Sequence, residues 1–313
     1  MTAEASTSDQ TQTGRKPFWR LRDNPVVLKE MRGRMRGARA FIVLTVYLLL
    51  LGAFSSLVYV TVSESSTNAG GQVMVGEIGR TLFGGIVAVE MLLVAFIAPA
   101  FTSGAVTGER EHQTYDLLKT TLLPSHAFVM GKLLSAMLYV LLLLLAAIPL
   151  QSIAFFFGGV AETEIMLSFV ILAATALLFS TIGIFFSARA RRTLSASVLT
   201  YATAMFIMFG LPVVLGAIML IFDFSFGGVG SSDSQIALLY ITGGLLSLNP
   251  AATALLTQYI LLNQRTVGVF SYTLSGGDTV TLISPWIPFT IVYLLLAVVF
   301  FILTVHRVRQ LEE

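Results

Sequence analysis

The sequence predicts an all-α, polytopic membrane protein, and three observations predict it. Charged side chains make up only 12% of the 313 residues, about half the ~25% usual in a soluble domain. Apolar residues, 56% of the chain, gather in runs of about 20 or more, the length that crosses the ~30 Å hydrocarbon core as a helix. The charges fall between these runs, with lysine and arginine on alternate connections. A mean hydropathy of +0.84 agrees. With no cysteine, disulfides, thiolate metal sites and cysteine nucleophiles are excluded.

Residues 1–23 read as a disordered tail, rich in Thr, Ser and Gln at its start and lacking the apolar core of a cleavable signal peptide. The remainder, 24–313, reads as a single membrane domain. Asn24-Pro25 marks a helix start, since proline in the first turn gives up an N–H that has no partner there anyway. Val27, Leu28, Met31, Met35 and Ala38 then line one face, with Lys29, Arg32, Arg36 and Arg39 over much of the rest. Such a helix is expected to lie flat at the membrane surface, cations against headgroups.

Six spans are expected at about 41–62, 82–106, 133–157, 165–187, 195–222 and 286–305. A further apolar stretch, Ile236 to Leu262, holds Gly243, Gly244, Asn249 and Pro250 near its middle. These break a helix unless neighbours satisfy the freed backbone. Lysine and arginine excess marks the cytoplasmic side. With six spans, the amino-terminal arm, the central loop (Arg110, Lys119, Lys132), the short loop Arg189–Arg192 and the tail (Arg307, Arg309) fall inside. Arg80 and Arg265 are then left outside among several carboxylates. A full crossing by Ile236–Leu262 would reverse the tail, so this stretch is read as an external re-entrant pair of half-helices, with both termini cytoplasmic.

The one long charged passage between two spans runs from Gly108 to Lys132. From Glu109 to Leu123 its pattern predicts a short amphipathic helix. Tyr115, Leu118 and Leu122 lie on one side, and Glu109, Arg110, Glu111, His112, Asp116 and Lys119 on the other. Pro124 ends it, Ser125 is placed to cap the next helix, and Lys132 to snorkel at the membrane edge.

The order of these features resembles the type-2 membrane permease of ATP-binding-cassette transporters. The resemblance rests on Pro99, Gly108 to Glu111, Thr114, Leu117, Leu118, Thr120, Pro124 (one residue later than the usual spacing) and Gly131 to Leu134. Asn24 to Arg36 resembles the interface helix before the first span, and Leu248 to Ala251 the external re-entrant segment. It implies a permease subunit of an ATP-driven exporter, in a prokaryotic inner or plasma membrane, that pairs with a second permease subunit as homo- or heterodimer. ATP and Mg would be bound by a separate ATPase subunit, and this chain would bind no cofactor. Glu109, Arg110, Glu111, Thr114, Tyr115, Leu117, Leu118, Lys119 and Thr120 would form the ATPase-coupling segment. Pro25, Lys29, Glu30, Arg32 and Arg36 would belong to the interface helix.

The residues agree that ATP hydrolysis lies elsewhere. The only Gly-Lys, Gly131-Lys132, is followed by Leu and opens a membrane helix, so there is no phosphate loop. The three histidines, His112, His126 and His306, lack metal-ligand spacing, and no catalytic triad or carboxylate pair stands out. Nucleic-acid binding would need a folded basic domain. Glu90 is the ionisable residue deep within a span. Either it contacts cargo, a proton or a cation on a translocation route, or it bonds a neighbouring helix. An ion-gradient transporter or channel, the alternative reading, would place more charges in the spans; a non-transporting scaffold is the other.

Overall fold

The computed structural model describes residues 25–35, 38–68, 75–114, 124–226, 240–273 and 279–312. Helix α1 (Pro25–Met35) begins at the predicted proline and is followed by α2 (Ala38–Asn68) and α3 (Val75–Thr102). A four-residue turn separates α3 from the short α4 (Thr107–Glu111). Then come α5 (Ser125–Phe156), α6 (Glu162–Arg189) and α7 (Thr193–Met205). A π-helical segment, Phe206–Gly210, joins α7 to α8 (Leu211–Phe226). The chain continues through α9 (Tyr240–Leu246) and α10 (Pro250–Gln264). A hairpin, β1 (Val269–Thr273) with β2 (Thr279–Ile283), leads to α11 (Trp286–Glu312).

Six of these units are long and apolar enough to cross a membrane: α2, α3, α5, α6, the α7–α8 unit and α11. The protein is an all-α polytopic membrane protein, and its small antiparallel hairpin, Val269 paired with Ile283 through Thr273 with Thr279, is an addition to the expected elements.

Helix α6 is the centre of the bundle. In its most apolar window 67% of residues are buried, against 11% for α2. Its sequence explains this: Ala174, Thr175, Ala176, Ser180, Thr181, Gly183, Ser187 and Ala188 are small, so α3, α5 and α11 approach closely. Gly183 is the tightest point, where a Cβ would meet Thr102 Oγ1 at 2.0 Å. Several hydroxyls on this helix return to their own backbone, as Thr175 Oγ1 does to Ile171 O at 2.8 Å and Thr181 Oγ1 to Leu178 O at 2.7 Å, so they cost little in an apolar surround. By contrast α2 turns Phe41, Ile42, Leu49 and Leu57 outward, the face a bilayer covers.

The broken stretch is held by the spans around it. Helices α9 and α10 meet at 118°, and Asn249 caps α10 by accepting the Ala252 N–H at 2.8 Å. Its Nδ2 donates to Ile207 O at 2.7 Å and Met208 O at 2.9 Å. Met208 lies four residues before Pro212, which has no N–H to offer it. The π-segment and the Asn249 turn therefore complete each other: proline frees a carbonyl within one span, and the amide of the bent pair takes it up. Tyr293 of α11 donates to Leu248 O at 2.8 Å and fixes the turn from the other side.

Candidate functional site

The charged cluster at the C-terminal end of α3 is built from sequence-distant residues. Its connection, Ser103–Val106, is folded against α6. Ser187 Oγ accepts the N–H groups of Val106 and Thr107 at 2.9 and 3.1 Å and lies 3.2 Å from Thr107 Oγ1. Ser103 Oγ meets Ser197 Oγ at 3.0 Å. Both N–H groups lie where the helix breaks and lack α-helical partners, so the hydroxyl supplies what the backbone does not.

Beyond the turn, α4 projects its carboxylates in two directions. Lys132, near the start of α5, donates to Glu109 Oε1 and to Glu30 Oε1 of α1, each at 2.8 Å. The lysine side chain is 6% exposed, that of Glu30 20% and that of Glu109 17%. The expected snorkelling of Lys132 is therefore corrected: it points into protein because two carboxylates offset the cost of burying its charge. On the other side Glu111 accepts the Thr193 N–H at 2.8 Å and hydroxyl at 2.6 Å, and Arg110 reaches Ala190 O at 3.4 Å.

Burial pushes the Glu109 carboxyl upward, but hydrogen bonds from Lys132 and Thr114 and the charges of Lys132 and Lys29 outweigh it, holding it below the ordinary carboxylate range. Glu111 is lowered by its two bonds from Thr193. α3 alone is 28 residues, roughly 42 Å at 1.5 Å per residue, against ~30 Å of hydrocarbon. α4 therefore lies beyond the apolar zone, where these carboxylates are ionised.

The predicted amphipathic helix from Glu109 to Leu123 is corrected in part. Helix begins two residues earlier, at Thr107, and stops at Glu111. Gln113 takes a left-handed φ of 57°, and Thr114 folds back, its N–H donating to Glu109 O at 2.9 Å and its hydroxyl to the Glu109 carboxylate. Tyr115, Leu117, Leu118, Lys119 and Thr120 lie outside the described residues, as does Arg36. Ser125 is the first residue of α5, with Pro124 in the cap position.

In α1, Val27 is buried against the protein while Lys29 and Arg32 are exposed. This helix thus packs on α5, rather than placing all of its apolar side in lipid. Sequence reasoning singled out Glu30, Glu109, Arg110 and Glu111, and the structure brings them to one end of the bundle. It missed Ser187 and Thr193, for which a hydroxyl beside each end of the Arg189–Arg192 loop was the available signal.

Glu90 stands apart. It is fully buried, and both carboxylate oxygens accept from Gln151 Nε2 of α5, at 2.9 and 2.7 Å. A family model described as "ABC-2 family transporter protein" matches residues 25–308. Among curated proteins, none matches this chain.

Proposed function

The chain belongs to the ABC-2 transporter family, a membrane transport permease, and from that premise we propose that it is the permease subunit of an ATP-driven exporter. It forms the substrate pathway with a second permease subunit, and a separate nucleotide-binding subunit hydrolyses ATP. α1, α4 and the loop between α6 and α7 face the cytoplasm of a prokaryotic cell, as do both termini. The ATPase engages the segment containing Glu109, Arg110, Glu111 and Thr114, together with residues 115–120.

One observation carries this reading: Lys132 joins Glu30 of α1 and Glu109 of α4 to the start of α5. The same α4 holds the start of α7 through Glu111. A push on α4 thus reaches α1, α5 and α7 through charge-assisted bonds, which are stronger than neutral ones. That suits a part receiving mechanical work from a partner. A gradient-driven carrier would want its intramembrane carboxylate on a route, whereas both oxygens of Glu90 are engaged by Gln151.

The test is co-expression with candidate nucleotide-binding ATPase subunits from the same genome. The expected result is a stable complex whose ATP turnover changes on assembly, and a Glu109→Ala variant that still assembles but loses that change. Gradient-driven transport by the purified chain alone, with no ATPase retained, would overturn the proposal.

A further inference from the structure

The opposite end of α6 borders a cavity of about 210 Å³ between α3, α6, the π-segment and α10, open at one side where Leu92, Phe209 and Leu255 are exposed. Its wall is mainly apolar, with Phe83, Val87, Met91 and Ile171 among the lining residues. Four polar side chains interrupt it, Glu164, Ser168, Thr257 and Gln258. Glu164 Oε2 and Thr257 Oγ1 are both buried, and neither has a hydrogen-bond partner among the described residues. Leaving such atoms unpaired costs free energy. Glu164 Oε1 takes the Ala161 N–H at 3.3 Å, while Arg80, close enough to act on the Glu164 charge, spends its Nε on Gly159 O at 2.8 Å.

We propose that this cavity binds an amphipathic amine, its ammonium donating to Glu164 Oε2 and Thr257 Oγ1 and its apolar body lying among Phe83, Val87, Met91 and Ile171. A carboxylate oxygen lacking a donor selects a ligand that donates, and rejects an anion. The volume exceeds the ~150 Å³ cavity that takes benzene, room for a ring or a single short chain. The π-segment contributes Met208 and Phe209 to the wall, and such insertions are frequent at functional sites. The inference concerns binding alone and does not rest on the exporter reading; its test needs no ATPase, so either can fail without the other.

The test photolabels the full chain in phosphatidylcholine nanodiscs with a diazirine-bearing dodecylamine and maps the label by mass spectrometry. Label is expected in 83–92 of α3 and 251–261 of α10, saturably, with unlabelled dodecylamine competing far better than dodecanoate. Glu164→Gln is expected to weaken labelling about 10-fold, the loss of one charge-assisted bond. Ala88→Phe, at an exposed residue on the cavity lining, should block the site even where Glu164→Gln fails to fold. Competition by benzylamine as well assigns a water-soluble amine; competition by dodecylamine alone assigns a membrane-borne one. Labelling that never saturates and spreads over the outward faces of α2 and α8, or equal competition by dodecanoate, would overturn the proposal.

Discussion

At its C-terminal end α6 offers Ser187, whose hydroxyl serves two backbone N–H groups and lies beside a second hydroxyl; at its N-terminal end it offers Glu164, one oxygen of which has no partner. The two lie 23 residues apart on one helix (187 − 164), roughly 35 Å along its axis. Around Ser187 each named charge has a partner on another element, so a displacement of one part moves the rest. Around Glu164 two buried polar atoms lack partners among the described residues and the walls are mainly apolar, so a ligand has something to satisfy. A satisfied network transmits force, whereas an unsatisfied cavity accepts molecules. α6, packed by small residues against α3, α5 and α11, is the rigid member between them.

The largest effect should come from breaking the first region at its most buried charge. Lys132→Met leaves Glu30 and Glu109 facing each other without their shared cation. Removing one partner of a buried ion pair costs about 3–5 kcal/mol. Solvent at the carboxylates puts this case near the lower end. The expected outcome is a marked fall in apparent Tm of the purified chain, while Lys132→Arg retains most stability. An unchanged Tm for Lys132→Met would show that the three groups are not a unit.

Asn249→Leu comes next and tests the region that closes the cavity. It removes the donor to Ile207 O and Met208 O and the acceptor for Ala252 N–H. A buried polar group left unpaired costs about 1–3 kcal/mol, and neighbouring adjustment within the π-segment limits the sum to about 2. Increased hydrogen exchange at Ala252 and at residues 206–211, with none at α4, is the expected signature. Exchange that rises equally at both ends of α6 would erase the distinction between them.

The bundle was legible in the sequence because hydropathy is local: each span is one run, and the break at Asn249-Pro250 is written in adjacent residues. The hairpin was legible in principle too. Val269–Thr273 and Thr279–Ile283 are β-branched and aromatic, and flank Gly276, Gly277 and Asp278. The clamp was not, since Lys132 is 102 residues from Glu30 and 23 from Glu109. Nothing near Lys132 distinguishes a snorkelling lysine from a paired one. Nor does the composition of α6 say that Glu164 and Thr257 border the same space; that follows only from how α10 folds back.

A smaller effect follows from acid. The Glu109 carboxyl lies below its ordinary range when folded, so the folded state binds the proton less readily than the unfolded one. Its contribution is present above the unfolded value, about pH 4.3, and is lost as pH falls through the lower folded value. A disulfide-free distance probe, such as spin labels on α1 and α5, should report the two helices separating below about pH 4. Glu109→Gln should abolish that acid-dependent step. A step that persists in the variant would assign it to another carboxylate.

The smallest effect is expected at Glu111. Its carboxylate takes two bonds from Thr193, yet the group is exposed, and water competes for exposed charge-assisted contacts. Glu111→Gln can keep the acceptor for the Thr193 N–H, so the apparent Tm should move less than in any of the variants above. Its value is to separate holding from transmitting. If α4 moves α7 mainly through this contact, ATP turnover in the assembled complex should respond to Glu111→Gln more than Tm does. If α4 moves α7 through the Ser103–Ser197 and Thr107–Ser187 hydroxyls instead, turnover should be indifferent to Glu111 and sensitive to Ser187→Ala. The double variant then decides between them: additive losses mean two independent routes, and a loss no greater than Ser187→Ala alone means that the force enters the bundle through the hydroxyl turn.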